Sequence, residues 1–193
     1  MPQVEINDEI MEAKLGEPLL TVARRNAAHI GFGCDGNGLC TMCECRVLEG
    51  GDQLSPLNKA EQAWLPDARV ADGYRLACQA SVRGKGPIRV VTRAEELRRQ
   101  LGALLNPPAG TTSAEQLRPL LTNLVMINWE HLGRWPFNLL STFQRLGPVR
   151  FLWPFNDTSQ FLRDTVRVSE RMLAGRRPAA GETAKPKEDE GGS

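Results

Sequence analysis

Cys34, Cys40 and Cys43 lie within ten consecutive residues, and a fourth cysteine, Cys78, follows after 34 intervening positions. This C-x5-C-x2-C spacing constrains the chain more than any other feature, because it gathers thiols in a stretch too short to be a packed core. The segment reads Gly31-Phe32-Gly33-Cys34-Asp35-Gly36-Asn37-Gly38-Leu39-Cys40-Thr41-Met42-Cys43, so glycine punctuates it throughout. Glycine permits the left-handed backbone of a tight loop, and such a loop can turn its amides inward around a compact anionic object. The fourth cysteine sits in Arg75-Leu76-Ala77-Cys78-Gln79, read as the end of an extended piece.

The nature of that object follows from compartment and spacing. The start, Met1-Pro2-Gln3-Val4-Glu5-Ile6, has neither the basic residues nor the long apolar run of a secretory signal, so a cytoplasmic setting is expected. Thiols stay reduced there, which argues against disulfides. Structural zinc also takes four cysteines, but it favours two short knuckles, and Cys78 stands alone. A chance gathering of free thiols fits poorly with how uncommon cysteine is. Two irons bridged by two sulfides need four thiolates, and one loop can give three of them while a distant residue gives the fourth. The residues favour a 2Fe-2S cluster over zinc, with Cys34, Cys40, Cys43 and Cys78 as the metal and cofactor ligands. Cys45, two residues past Cys43 in an apparent strand, reads as a small buried hydrophobe outside the site.

Around the cysteines the first hundred residues read as short elements. Gln3 to Ile6 and Ile10 to Lys14 alternate about a turn at Asn7-Asp8-Glu9, a hairpin pattern. Pro18 to Ala28 has helical spacing, Cys45 to Leu48 reads as a strand, and Ser55-Pro56 reads as the capped start of a helix carrying Glu61 and Trp64. Arg75 to Ser81 and Ile88 to Thr92 supply the last extended pieces. The pattern predicts an α+β sheet domain over residues 1–93. A charged helix from Ala94 to Leu105 and the Pro107-Pro108 linker fill residues 94–116.

Residues 117–175 differ in kind, holding three of the four tryptophans and five of the six phenylalanines. Three helices are predicted there: Leu117 to Leu132, Pro136 to Leu146 with Gly147-Pro148 as a stop, and one from near Asp157 to Gly175. The third carries Phe161, Leu162, Val166, Ser169, Met172 and Leu173 on its apolar stripe and Arg163, Arg167 and Arg171 opposite. Aromatic side chains with arginines beside them suit an interfacial attachment segment, and a helical cap on the first domain is the alternative. No window is long and uncharged enough to span a bilayer. No nucleophile, general base or phosphate loop follows residue 100, so an electron-transfer role is expected in place of an enzyme. His131 reads as an ordinary, partly exposed histidine. Residues 176–193, rich in Pro, Ala, Gly, Glu and Lys, read as a disordered tail.

From about residue 3 to residue 93 the chain resembles the 2Fe-2S ferredoxin family with its β-grasp fold. The x5 gap between the first two cysteines is similar to the adrenodoxin type, the plant-type gap being x4. The resemblance implies a one-electron carrier, with Cys34 and Cys40 on one iron and Cys43 and Cys78 on the other. It also implies a redox partner protein, a reductase or an acceptor complex. Adrenodoxin-type carriers present an acidic patch to that partner, whereas residues 1–100 hold 13 Lys plus Arg against 14 Asp plus Glu. The segment Asp67 to Gly73 offers only a weak steering field, and a net charge of +1 gives no reason to expect nucleic acid.

The fusion of such a domain to an aromatic-rich C-terminal segment is also similar to the iron-sulfur proteins of the chlorosome envelope of green photosynthetic bacteria. That similarity rests on Trp129-Glu130-His131-Leu132-Gly133 and on Phe137 to Gly147. It implies peripheral association with a membrane surface or a chlorosome envelope, and a second role, a structural or redox-sensing antenna component whose cluster regulates energy transfer.

Overall fold

The computed structural model describes residues 1–174, apart from the side chains of Met126, Ile127, Asn128, Glu130, His131, Trp135, Phe137 and Ser141. The expected tail, the expected helix stop at Gly175 and the reading of His131 as a surface histidine therefore lie outside what is described.

A hairpin opens the chain. Strand β1 (Gln3–Ile6) pairs antiparallel with β2 (Glu9–Glu12), Val4 opposite Met11, through a turn in which Asn7 and Asp8 both take positive φ, 56° and 64°. Two left-handed residues match the twist of the strands, and Asn and Asp tolerate them best after glycine. Helix α1 (Leu19–Arg25) then buries Leu19, Leu20, Val22 and Ala23 against the sheet. After the cysteine loop come β3 (Glu44–Glu49), a single 3-10 turn at Gly51–Gln53, α2 (Lys59–Trp64), α3 (Asp67–Ala71), β4 (Tyr74–Leu76) and β5 (Ile88–Thr92). The sheet order is β2-β1-β5-β3-β4, with β1 and β5 parallel and the other neighbours antiparallel. Val4, Ile6, Leu19, Val22, Leu65, Leu76, Val82, Ile88 and Val90 close one apolar core beneath the helices.

Two local expectations are corrected. The helix expected at Ser55 begins at Lys59, because Ser55 is tied to the far strand end: its N–H donates to Ser81 O (2.8 Å) and its Oγ accepts from Ser81 N (3.1 Å). Asn58 caps the helix instead, in a capping box with Glu61. The extended piece expected over Arg75 to Ser81 is a strand only at Tyr74–Leu76, since the Gln79 and Ala80 N–H groups both donate to Leu76 O and fold the chain into a turn around Cys78. A short helix, α3, stands over Asp67–Ala71, where no element was predicted.

Beyond the sheet, α4 (Arg93–Leu105) is capped by Thr92, whose Oγ1 accepts from Glu95 N (3.2 Å). The two helices expected over Leu117 to Leu146 form one element, α5 (Ser113–Leu152), which runs through Pro119 and Pro136. A proline removes one helix hydrogen bond, and neighbouring packing can carry the helix past it. The break falls at Gly147 (φ 76°, ψ 167°), as the Gly147-Pro148 stop anticipated. The second half of α5 docks on the sheet domain through one polar stripe. Arg134 donates to Leu65 O (3.4 Å), Asn138 Nδ2 donates to Ala63 O (2.9 Å), and Arg145 reaches the cysteine loop.

Helix α6 (Thr158–Leu173), capped by Asp157, is also docked, with only part of its apolar stripe turned to the domain. Asp164 and Val168 are buried and Phe161 packs on the core, while Leu162, Val166 and Leu173 stay exposed. Arg167 and Arg171 do not face water alone. Arg167 donates to Arg25 O (2.9 Å), and Arg171 to Asn26 O and Glu9. Polar tethers to α1 and the hairpin set the orientation of α6, so most of the apolar stripe is left outside. Among the described residues no helix is long and apolar enough to cross a membrane.

Candidate metal centre

The loop Gly31–Cys43 leaves α1 and returns into β3, and the turn around Cys78 lies directly beneath it. Two backbone bonds fix their relative position. Ala77 N donates to Cys43 O (3.0 Å), and Leu20 N donates to Ala77 O (2.9 Å), so β3, α1 and the Cys78 turn are pinned together. Within the loop Asp35 has φ 49° and Gly38 has φ 64°, turning successive peptides toward the same interior. Gly31 is required by proximity, since a Cβ there would stand 2.6 Å from Met42 O.

All four expected ligands are brought together, and they fall into two pairs. Cys34 is hydrogen-bonded to Cys40, and Cys43 to Cys78. The Cys34 thiol is drawn down to about 6, first by its hydrogen bond with Cys40 and against the effect of burial, and Cys40 is pushed up correspondingly. In the second pair the hydrogen bond between them lowers Cys78 and raises Cys43, burial raising both. In each pair one sulfur is held toward the thiolate by the other's proton, and a metal, which takes the thiolate, displaces that proton. Among the described residues no three His, Cys, Asp or Glu side chains surround a position for one ion. Two pairs of sulfurs suit two bridged metal atoms better than a mononuclear site.

Backbone N–H groups supply the remaining requirement of an anionic centre. Those of Leu39 and Cys40 point at the Cys34 thiol and that of Gly38 at Cys78, while that of Asn37 donates to Cys34 O (3.1 Å). Gln79 adds a side-chain donor, its Nε2 lying 3.2 Å from Cys78 Sγ and 3.2 Å from Gly36 O, and Asn58 holds that amide through a 2.8 Å bond to its oxygen. Cys45 takes no part. It is fully buried on β3, its Sγ lies 3.7 Å from Arg75 O, and burial first of all pushes its thiol up.

The outer surface of the loop is covered from elsewhere in the chain. Trp64 Nε1 donates to Gly38 O (3.0 Å). The Asp35 carboxylate accepts from Arg24 and from Asn156 N (2.8 Å), and Arg24 also donates to Asp164 (2.8 Å), so one guanidinium joins loop to α6. Asn37 Nδ2 donates to Pro154 O, and Phe32 packs edge-on against Phe161 with centroids 5.4 Å apart. Sequence reasoning named the four cysteines that the fold brings together and did not name Gln79, Asn58, Trp64, Arg24, Arg145 or Asn156 as neighbours of the loop. Only Gln79, adjacent to Cys78, carried a signal in its position.

A sheet of this topology with four paired thiols in an amide-lined loop defines a protein of the iron-sulfur class. A sequence model of the 2Fe-2S iron-sulfur cluster binding domain matches residues 4–83, and this segment is similar to the 2Fe-2S ferredoxin family. A 2Fe-2S cluster is its cofactor. Among curated proteins, the chain is 45% identical over 121 residues to chlorosome protein J of Chlorobaculum tepidum, a match covering 62% of this chain and 53% of that one. It is 38% identical over 128 residues to chlorosome protein I of the same organism, covering 62% and 52%. The chain spans about half the length of these relatives. The crystal structure of an ISC-like [2Fe-2S] ferredoxin (FdxB) from Pseudomonas putida is 25% identical, with a TM-score of 0.41 over 49% of this chain and 94% of that one.

Proposed function

We propose that the chain is a one-electron carrier whose cluster is held by Cys34 and Cys40 on one iron and by Cys43 and Cys78 on the other. The observation that carries this reading is the pairing of the four thiols under a ring of inward N–H groups. When bound, a 2Fe-2S cluster takes up and gives back a single electron. The chain's part is to hold it by thiolates, to offset the added negative charge with the N–H groups of Gly38, Leu39 and Cys40, and to keep water from Cys34 and Cys43, both buried. A redox partner protein, a reductase or an acceptor complex, supplies and receives the electron. The test is chemical. Purified protein should contain about two irons and two acid-labile sulfides per chain and show a paramagnetic signal only after reduction; zinc in place of iron would sink the reading.

A second reading concerns where the carrier works, and here α5 is the observation. Its first half exposes Leu121, Leu124, Val125, Trp129 and Leu132 on adjoining turns, with Trp129 76% exposed. Such a face gains by leaving water for an apolar boundary. Any continuous match over 62% of the chain runs past β5 and through α4, so the likeness to chlorosome proteins J and I extends beyond the cluster domain. Both points support attachment to a chlorosome envelope or a similar lipid surface, with the domain either relaying electrons there or reporting redox state to the antenna.

A further inference from the structure

The Asn37–Gly38 and Gly38–Leu39 peptides are gripped on both sides. Toward the interior, the Gly38 N–H points at Cys78 and the Leu39 N–H at Cys34. On the outer side, Asn37 O and Gly38 O both accept from one nitrogen of Arg145, at 3.3 Å and 3.1 Å. A trans peptide holds its N–H and C=O on opposite sides of the chain, so the two sets of contacts are the two ends of the same dipoles. A cation at the carbonyl end polarises the peptide and strengthens the donor at the other end. Hydrogen bonds to the sulfurs of an iron-sulfur cluster stabilise its more negative, reduced form.

We propose that Arg145 is a positioning residue that raises the reduction potential of the cluster, acting through these two peptides from a helix outside the sheet domain. The proposal rests on the reading that Cys34 and Cys78 are cluster ligands, and iron content tests that reading separately. Arg145 acts at both peptides at once, whereas the Trp64 indole N–H donates to Gly38 O and carries no charge. The neighbouring cation, Arg24, is spoken for by Asp35 and Asp164. The second half of α5 thus reaches the cluster without touching it, and the segment carrying the attachment face becomes part of the redox centre.

The experiment measures the midpoint potential of full-length, cluster-loaded protein by spectroelectrochemistry. Arg145→Ala should keep two irons and lower the equilibrium constant for reduction about tenfold, which for one electron is about 59 mV. Arg145→Lys, which keeps the charge, should fall between. Arg163→Ala, which removes an exposed charge from α6, should leave the potential where it was. An Arg145→Ala protein with two irons and the parent potential overturns the proposal, and so does an equal shift in Arg163→Ala. If Arg145→Ala does not retain iron, Arg145→Gln decides: a potential below that of Arg145→Lys supports the proposal, and the parent potential overturns it. Loss of iron from all three variants would make Arg145 a structural prop and overturns it as well. Fewer than two irons in the parent would instead count against the ligand reading.

Discussion

Cys43 and Cys45 are separated by one residue and both are buried, yet only Cys43 is paired with another thiol. Cys45 spends its sulfur on a weak bond to Arg75 O inside the core, where it behaves as a small apolar side chain. Serine at Cys34, Cys40, Cys43 or Cys78 is therefore expected to disrupt the cluster and alter or remove the visible spectrum. Cys45→Ser should leave that spectrum intact and cost only about 1–3 kcal/mol in denaturant unfolding, the penalty for a hydroxyl in an apolar site. A bleached Cys45→Ser protein would return this residue to the metal centre. The cysteine loop was legible at this scale because its information is local: spacing, glycine and thiol chemistry all lie within thirteen residues. The groups that satisfy the loop from outside were not. Arg145 and Asn156 stand more than a hundred residues away, and only the fold brings them to Asn37, Gly38 and Asp35.

Among the elements, α2 shows how one side chain ties several together. Glu61 is fully buried, closes the capping box with Asn58, receives Arg75 Nε and Nη2 at 2.8 Å and 3.0 Å, and accepts from Leu76 N (3.1 Å). It joins α2 to β4 two residues from Cys78. Glu61→Ala should cost about 3–5 kcal/mol, since it leaves a buried guanidinium without its carboxylate; urea unfolding of the loaded protein would register the loss, and a change below about 1 kcal/mol would contradict it. The strand and helix periods were readable for β1, β2, β5 and α4, where alternation or capping agrees with burial. For α6 they gave only part of the answer. Hydrophobic pattern put Phe161, Leu162, Val166 and Leu173 on one stripe, but Asp164 pairs with Arg24 and Arg171 with Glu9, and these tethers orient the helix so that Phe161 and Val168 face the domain while the rest of the stripe stays exposed. An amphipathic pattern ranks faces by polarity and says nothing of a buried ion pair.

At the scale of the whole molecule, the docking of α6 takes Phe161 out of the expected attachment surface and leaves the first half of α5 with the outer stripe of α6. Intact protein should float with lipid vesicles and stay bound at about 1 M salt, because apolar contacts are little screened whereas contacts through arginine are. Protein ending near Leu105 keeps the sheet and all five cysteines, so it should retain the cluster, remain soluble and fail to float. An intact protein that never floats would leave the C-terminal helices as a cap on the cluster domain. The long helix carrying Arg145 is joined to the Pro154 and Asn156 contacts on the cysteine loop through Gly147, whose φ of 76° and ψ of 167° lie where only glycine rests easily. Nothing stands within 4 Å of the Cβ it lacks, so crowding is not what excludes a side chain there. The constraint is one of handedness. The mirror image of this conformation is ordinary extended backbone, so a D-alanine would sit there without strain, while the L form would pull Pro154 and Asn156 away from the loop they hold.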